Sequence, residues 1–192
     1  MGHDGHDHDH DHEHGHKHAH QAGHDHGPSA EHKAHAPASV SCFVITSSDS
    51  RTPESDDSGK LLRELLTAAG HTLAGQALVK DDPAQLKQAI EGAVGAGARA
   101  ILISGGTGIG RRDTTFETVS ALLEKRLDGF GELFRMLSYE EIGSAAMLSR
   151  AVAGTFRGAI VFALPGSPGA ARLGLEKLIL PELGHAVREL SR

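Results

Sequence analysis

The chain has one cysteine, Cys42, so no disulfide framework can form. That residue sits in the apolar, strand-like run VSCFVIT, and its ordinary reading is a buried thiol. No apolar run reaches the roughly 18 residues that a membrane-spanning helix needs, and the N-terminus has neither an apolar signal core nor an Arg-rich amphipathic pattern. The expectation is a soluble, cytoplasmic protein. A charge of one sign is also missing from most of the chain. The formal net charge is -6, but residues 1–37 carry seven acids against two lysines, leaving 18 acids and 17 bases in the remainder. A body so close to neutral argues against nucleic acid as a partner.

Residues 1–37 hold 13 of the 15 histidines and, beyond Met1, no aliphatic side chain larger than alanine. They cannot bury enough apolar surface to offset the entropy of ordering, so a disordered tail is expected there and a single folded domain over 38–192. In the tail, His6, His8, His10, His12, His14, His16 and His18 alternate with carboxylates and small residues. This composition chelates Zn²⁺, Ni²⁺, Cu²⁺ or Co²⁺ in many registers and does not form one closed site. Metal buffering or delivery, a pH-responsive solubilising segment and an affinity tag all remain open for it.

From Val40 onward, short β-branched runs alternate with helical patterns, which predicts an α/β fold: a three-layer sandwich with a mostly parallel sheet flanked by helices. Val40–Thr46, HTLAGQALV, ARAILIS, SRAVAGTF and AIVFALP read as strands, the last two joined by a tight Arg-Gly turn. Helices are expected over KLLRELLTAAG, over Pro83 to about Val94 and over FETVSALLEKRL. Two short helices are expected around Glu132–Leu137 and Ile142–Leu148, and a C-terminal helix interrupted at Pro181. Thr114 and Glu117 have the spacing of a capping box.

The stretch SGGTGIGRRDTTFET, Ser104 to Thr118, leaves the carboxyl end of the third strand. In open α/β sheets, ligands settle outside such ends, where glycines let backbone N–H groups approach a phosphate. Arg111 and Arg112 add phosphate-pairing charge, and Asp113 is a hard oxygen ligand suited to Mg²⁺. Gly105 and Gly110 have the glycine spacing of a Walker A loop, but arginines replace its Lys and Ser/Thr, and the dinucleotide pattern fails at its third glycine. A phosphate site and a plain strand-to-helix turn both remain open on these letters alone.

Together with GFGELFRMLSYEEIGSAAMLSRAVAG and ALPGSPGAAR, this stretch resembles the MoaB/MogA family of molybdenum cofactor biosynthesis proteins, from about Ser39 to Leu190. The GFGELFRMLSYEEIG block is closer to the first subfamily and RRDTT to the second, although Phe116 stands where the second usually has proline. The resemblance implies Mg-ATP-dependent adenylylation of molybdopterin, with pyrophosphate released and AMP-molybdopterin passed to a molybdate-insertion enzyme, by a homotrimer or homohexamer. It places the two functional acids at Asp81 and Asp113, at the ends of adjacent strands, with Asp82 an equally good Mg²⁺ ligand. It adds Gly105, Gly106, Thr107, Gly108, Arg112, Thr114 and Glu117, then Pro165, Gly166 and Ser167 toward the nucleotide, and Ser149 and Arg150 toward the pterin. Asp49 and Asp57 match its first loop. Each has a plainer alternative. Asp82 before Pro83 suits a helix N-cap, LPGSPGA a proline-glycine turn, SSDSRTPESDDSG a solvated acidic turn, and Arg150 an ion pair with Glu140 or Glu141. A rival reading makes the body a non-catalytic pterin or nucleotide-binding module whose working part is the metal-binding tail. A third keeps the fold and changes the reaction.

Overall fold

A computed structural model describes residues 36–192 together with Met1. The tail histidines His6 to His18 lie outside the described residues. The described chain runs β1 (Ser41–Ser47), α1 (Asp57–Ala68), β2 (Thr72–Val79), α2 (Pro83–Gly95), β3 (Ala100–Ser104), α3 (Thr115–Leu122), β4 (Lys125–Arg126) and α4 (Asp128–Ile142). A 3₁₀ turn (Gly143–Leu148) then leads to β5 (Val152–Phe156), β6 (Ala159–Leu164), α5 (Pro168–Gly174), a π-helical segment (Leu175–Ile179) and α6 (Leu180–Glu189).

The six strands form one sheet in the order β2-β1-β3-β6-β5-β4. The first four are parallel, β5 runs antiparallel to β6, and β4 pairs antiparallel to β5. Alternation along the buried strands divides the core. Val44, Leu102 and Phe162 face α1, α4, α5 and α6 through Leu62, Leu66, Phe134, Leu173 and Leu183. Ile45, Ile103 and Val161 face α2 and α3 through Leu86, Ile90 and Val119. This is the expected three-layer arrangement. Each of these large side chains stabilises the fold by about 1.5–3 kcal/mol on burial. Phe130 packs on Phe162 at 5.3 Å between ring centroids, fastening α4 to β6.

Local chemistry accounts for most boundaries. Asp56 accepts from the Gly59 N–H at 3.0 Å, so α1 starts ahead of the expected KLLRELL stripe and shortens the preceding loop. Asp57 becomes the first residue of that helix and pairs with Arg51 at 3.6 Å. The Arg157-Gly158 turn has φ of 45° and 77°, the two positive values of a type I′ hairpin.

Three expectations fail for identifiable reasons. The helix over FETVSALLEKRL stops at Leu122, because Lys125 and Arg126 pair with Thr155 and Gly154 as an edge strand. The two short helices are one 15-residue helix, α4, and the 3₁₀ turn. Phe130 and Phe134, four residues apart and both buried, bind that helix to the core despite Gly129 and Gly131 in its first turn. The capping box does not form. Thr114 has helical angles, φ -119° and ψ -4°, and makes no side-chain cap bond, while Glu117 is drawn to Arg150.

Candidate functional site

Four parallel strands present their carboxyl ends on one edge, and the chain reverses its direction of travel across the sheet between β1 and β3. Crevices form at such switch points because the loops leaving the two strands turn opposite ways. Here the crevice is a cleft of about 420 Å³. Since β5 is antiparallel, the residues just ahead of it reach the same edge, and Ser149 lines the cleft beside Gly105–Gly108.

The glycine loop is shaped by close contact. Gly105 has φ +99°, and a Cβ there would fall 2.2 Å from the Ser47 carbonyl oxygen. Gly106 has φ +62°, and its Cβ would meet Thr115 Oγ1 at 2.4 Å and Asp81 Oδ1 at 2.7 Å. Only glycine combines that conformation with that approach. Thr107 beside them is buried yet lines the cleft. Asp113 folds back on the loop: its Oδ2 accepts the Gly110 N–H at 2.8 Å, and its own N–H donates to the Gly110 carbonyl at 3.0 Å.

Asp81 lines the cleft and accepts from Ser47 Oγ at 2.8 Å and the Asp49 N–H at 3.2 Å. The Asp81 N–H donates in return to Asp49 Oδ1 at 3.3 Å. Asp49 also receives Arg112 on Oδ2, at 2.9 Å from Nε and 2.7 Å from Nη2, and its carbonyl accepts from Lys80 Nζ at 2.8 Å. One carboxylate thus ties together the loops after β1, β2 and β3. The strands bearing Asp81 and Asp113 are not neighbours as expected; β1 lies between them, and its last residue, Ser47, holds Asp81.

Among the other expected site residues, Pro165 and Gly166 line the cleft. Ser167 instead caps α5, accepting from the Ala170 N–H at 3.2 Å. Asp82 caps α2, accepting from the Gln85 N–H at 2.9 Å, outside the cleft lining. The Thr114 hydroxyl is buried without a hydrogen-bond partner. Arg150 pairs with Glu117, not with Glu140 or Glu141. That pairing holds the Glu117 carboxyl below the usual range, chiefly through the Arg150 hydrogen bond. Sequence reasoning missed Ser47, Ser48, Arg51 and Ser58 on the cleft. For Ser47 the available signal was its place as the final residue of a strand at the edge; Ser58 carried none, being brought in by α1 and bonded to the Gly166 carbonyl at 3.1 Å.

Among the described residues, no three His, Cys, Asp or Glu side chains gather as a ligand group. Two carboxylates, Asp81 and Asp113, share the cleft. That set suits Mg²⁺, which takes one or two carboxylates plus substrate phosphates and keeps several waters.

A switch-point cleft with a glycine loop, at the carboxyl edge of a mostly parallel sheet, is where open α/β proteins bind their ligands. The family described as probable molybdopterin binding domain matches residues 43–185. Molybdenum cofactor biosynthesis protein B of Bacillus anthracis is 56% identical over 164 residues, 84% of this chain and 97% of that protein. A crystal structure of a molybdenum cofactor biosynthesis protein B superposes with a TM-score of 0.79 at 54% identity, covering 82% of this chain and 99% of the other. The tungsten cofactor synthesizing protein MoaB from Pyrococcus furiosus does so at 0.75 and 39%, covering 82% and 100%. The chain belongs to the family of molybdenum cofactor biosynthesis protein B.

Proposed function

We propose that this protein acts in the cytoplasm as a molybdopterin adenylyltransferase. The observation that carries the reading is one cleft in which a positive-φ glycine loop meets two carboxylates from separate loops, Asp81 and Asp113. The terminal phosphate of molybdopterin attacks the α-phosphorus of ATP; the new P–O bond forms as the bond to the β-phosphate oxygen breaks, and pyrophosphate leaves. The nucleophile is already anionic, so no general base is required, and catalysis consists of positioning and charge neutralisation. Backbone N–H groups of Gly106, Thr107 and Gly108 bind phosphate oxygens, while the Gly105 N–H is held by the Leu164 carbonyl at 3.0 Å. Asp81 and Asp113 would hold Mg²⁺, which when bound neutralises charge on the triphosphate. Ser47 and Asp49 keep Asp81 turned to the cleft, and the pair of Asp49 with Arg112 holds the glycine loop against the first loop.

A homotrimer or homohexamer is proposed with this activity. Its support is the outer face of α4 and the 3₁₀ turn, where Met136, Tyr139 and Met147 are exposed around an apolar hollow of about 400 Å³. Handing the product to a molybdate-insertion enzyme belongs to the same proposal.

The test is incubation with molybdopterin, ATP and Mg²⁺, scoring AMP-molybdopterin and pyrophosphate. Ligand binding without product would return the chain to the binding-module reading. A chain lacking residues 1–36 should turn over at the full rate and lose only Zn²⁺ or Ni²⁺ affinity.

A further inference from the structure

Arg150 is the residue whose surroundings least match a substrate-binding arginine. Its Nε donates to the Thr107 carbonyl at 2.9 Å, and its Nη2 donates to the Gly108 carbonyl and, at 3.2 Å, to Glu117 Oε2. Its Nη1 donates to Glu117 Oε1, and its guanidinium lies 4.9 Å from the centroid of the Phe116 ring. Each of the three nitrogens is engaged and one face is covered. Thr107 and Gly108 line the cleft and Arg150 does not, so the loop lies between Arg150 and the cleft.

Peptide geometry then has a consequence. All described peptide bonds are trans, and a trans peptide points its carbonyl and the following N–H in opposite directions. Capturing the Thr107 and Gly108 carbonyls from behind turns the Gly108 and Ile109 N–H groups away from Arg150. A glycine loop left to itself samples many orientations, and fixing two peptide planes removes that entropy before a ligand arrives.

We propose that Arg150 is a positioning residue, locked by Glu117 and Phe116, that presets the glycine loop as a donor nest for the polyphosphate of the nucleotide and does not itself bind the pterin. The proposal rests on the adenylylation reading for the identity of the ligand but not for the state of the loop. A lysine keeps the charge but offers no planar fork to hold two carbonyls and a carboxylate at once. Positioning and direct charge contact therefore predict opposite behaviour for Arg150→Lys.

The experiment compares wild type, Arg150→Lys and Glu117→Gln in the full chain by three readouts. These are amide hydrogen exchange over 105–110, binding of a non-hydrolysable Mg·ATP analogue by calorimetry, and binding of molybdopterin. Expected for Arg150→Lys are exchange at least about tenfold faster in that segment, nucleotide affinity down by about tenfold, kcat down on the order of 10²-fold and molybdopterin affinity within about twofold of wild type. Glu117→Gln, which leaves the arginine in place, should shift the same readouts in the same direction by less. Unchanged exchange with weakened molybdopterin binding would overturn the proposal and give Arg150 to the pterin. Faster exchange in a protein whose wild type binds no nucleotide would uphold the loop's dependence on Arg150 and overturn the assignment of the nest to polyphosphate, so the two failures are distinguishable.

Discussion

Changing Asp113 to Asn separates the structural role of the residue from the chemical one proposed for it. Its Oδ2 accepts the Gly110 N–H at 2.8 Å and closes the turn of the glycine loop, and the same side chain lines the cleft. Asparagine keeps an oxygen that can accept from Gly110 but loses the charge. A hydrogen bond to a charged group contributes about 1.5–3 kcal/mol and a neutral one about 1 kcal/mol, and partial exposure reduces the difference, so the stability loss should be about 1 kcal/mol. For a domain of this size that is a fall of roughly 2–4 °C in melting temperature. Losing a charge that orders the triphosphate costs about 3–4 kcal/mol at the transition state, or 10² to 10³ in rate. Pyrophosphate release and thermal melting monitored by circular dichroism read the two effects on the same sample. Molybdopterin affinity should be unchanged, since the proposed mechanism assigns the acid to the nucleotide. If the variant melts many degrees lower while its folded fraction turns over normally, Asp113 is only the clasp of the Gly110 turn and the metal assignment is wrong.

Gly105→Ala puts a Cβ 2.2 Å from the Ser47 carbonyl oxygen at φ +99° and should destabilise the domain by several kcal/mol, visible as a lower denaturant midpoint; a wild-type midpoint would contradict this backbone geometry. His71 Nδ1 accepts the Val40 N–H at 3.2 Å, and burial depresses its pKa below the ordinary 6.5, so the folded state favours the neutral ring. Its contribution is therefore complete above pH 6.5 and lost as pH falls from there through the depressed value. A His71→Gln variant should show a shallower acid slope of melting temperature, and an unchanged slope would remove His71 as a cause. Cys42 is fully buried with its thiol pushed up to about 12, so the native protein should leave a thiol reagent unreacted at pH 8 while the unfolded chain takes one equivalent.

The sequence by itself determined the layers and the chemistry of the main loop. Strand runs such as AILIS are too apolar to face water on either side, and that alone requires helices on both faces of the sheet. The glycines at 105 and 106 follow directly from the strand, so their need for unusual backbone was legible in place. Three helix starts were also local matters, capped by Asp56, by Asp82 before Pro83, and by Ser167 before Pro168. Tertiary structure decided what depends on neighbours distant in sequence. The edge strand at Lys125–Arg126 exists because β5 offers it partners some thirty residues later, and nothing in those two residues signals it. The insertion of β1 between β2 and β3, which makes Ser47 the support of Asp81, follows from sheet order and not from any motif. The spacing of Thr114 and Glu117 promised a capping box, yet a glutamate facing an arginine across the fold gains two charge-assisted bonds, and a single cap bond cannot compete. Local spacing specifies what a side chain is able to do; the partner it meets in the folded chain determines which of those things it does.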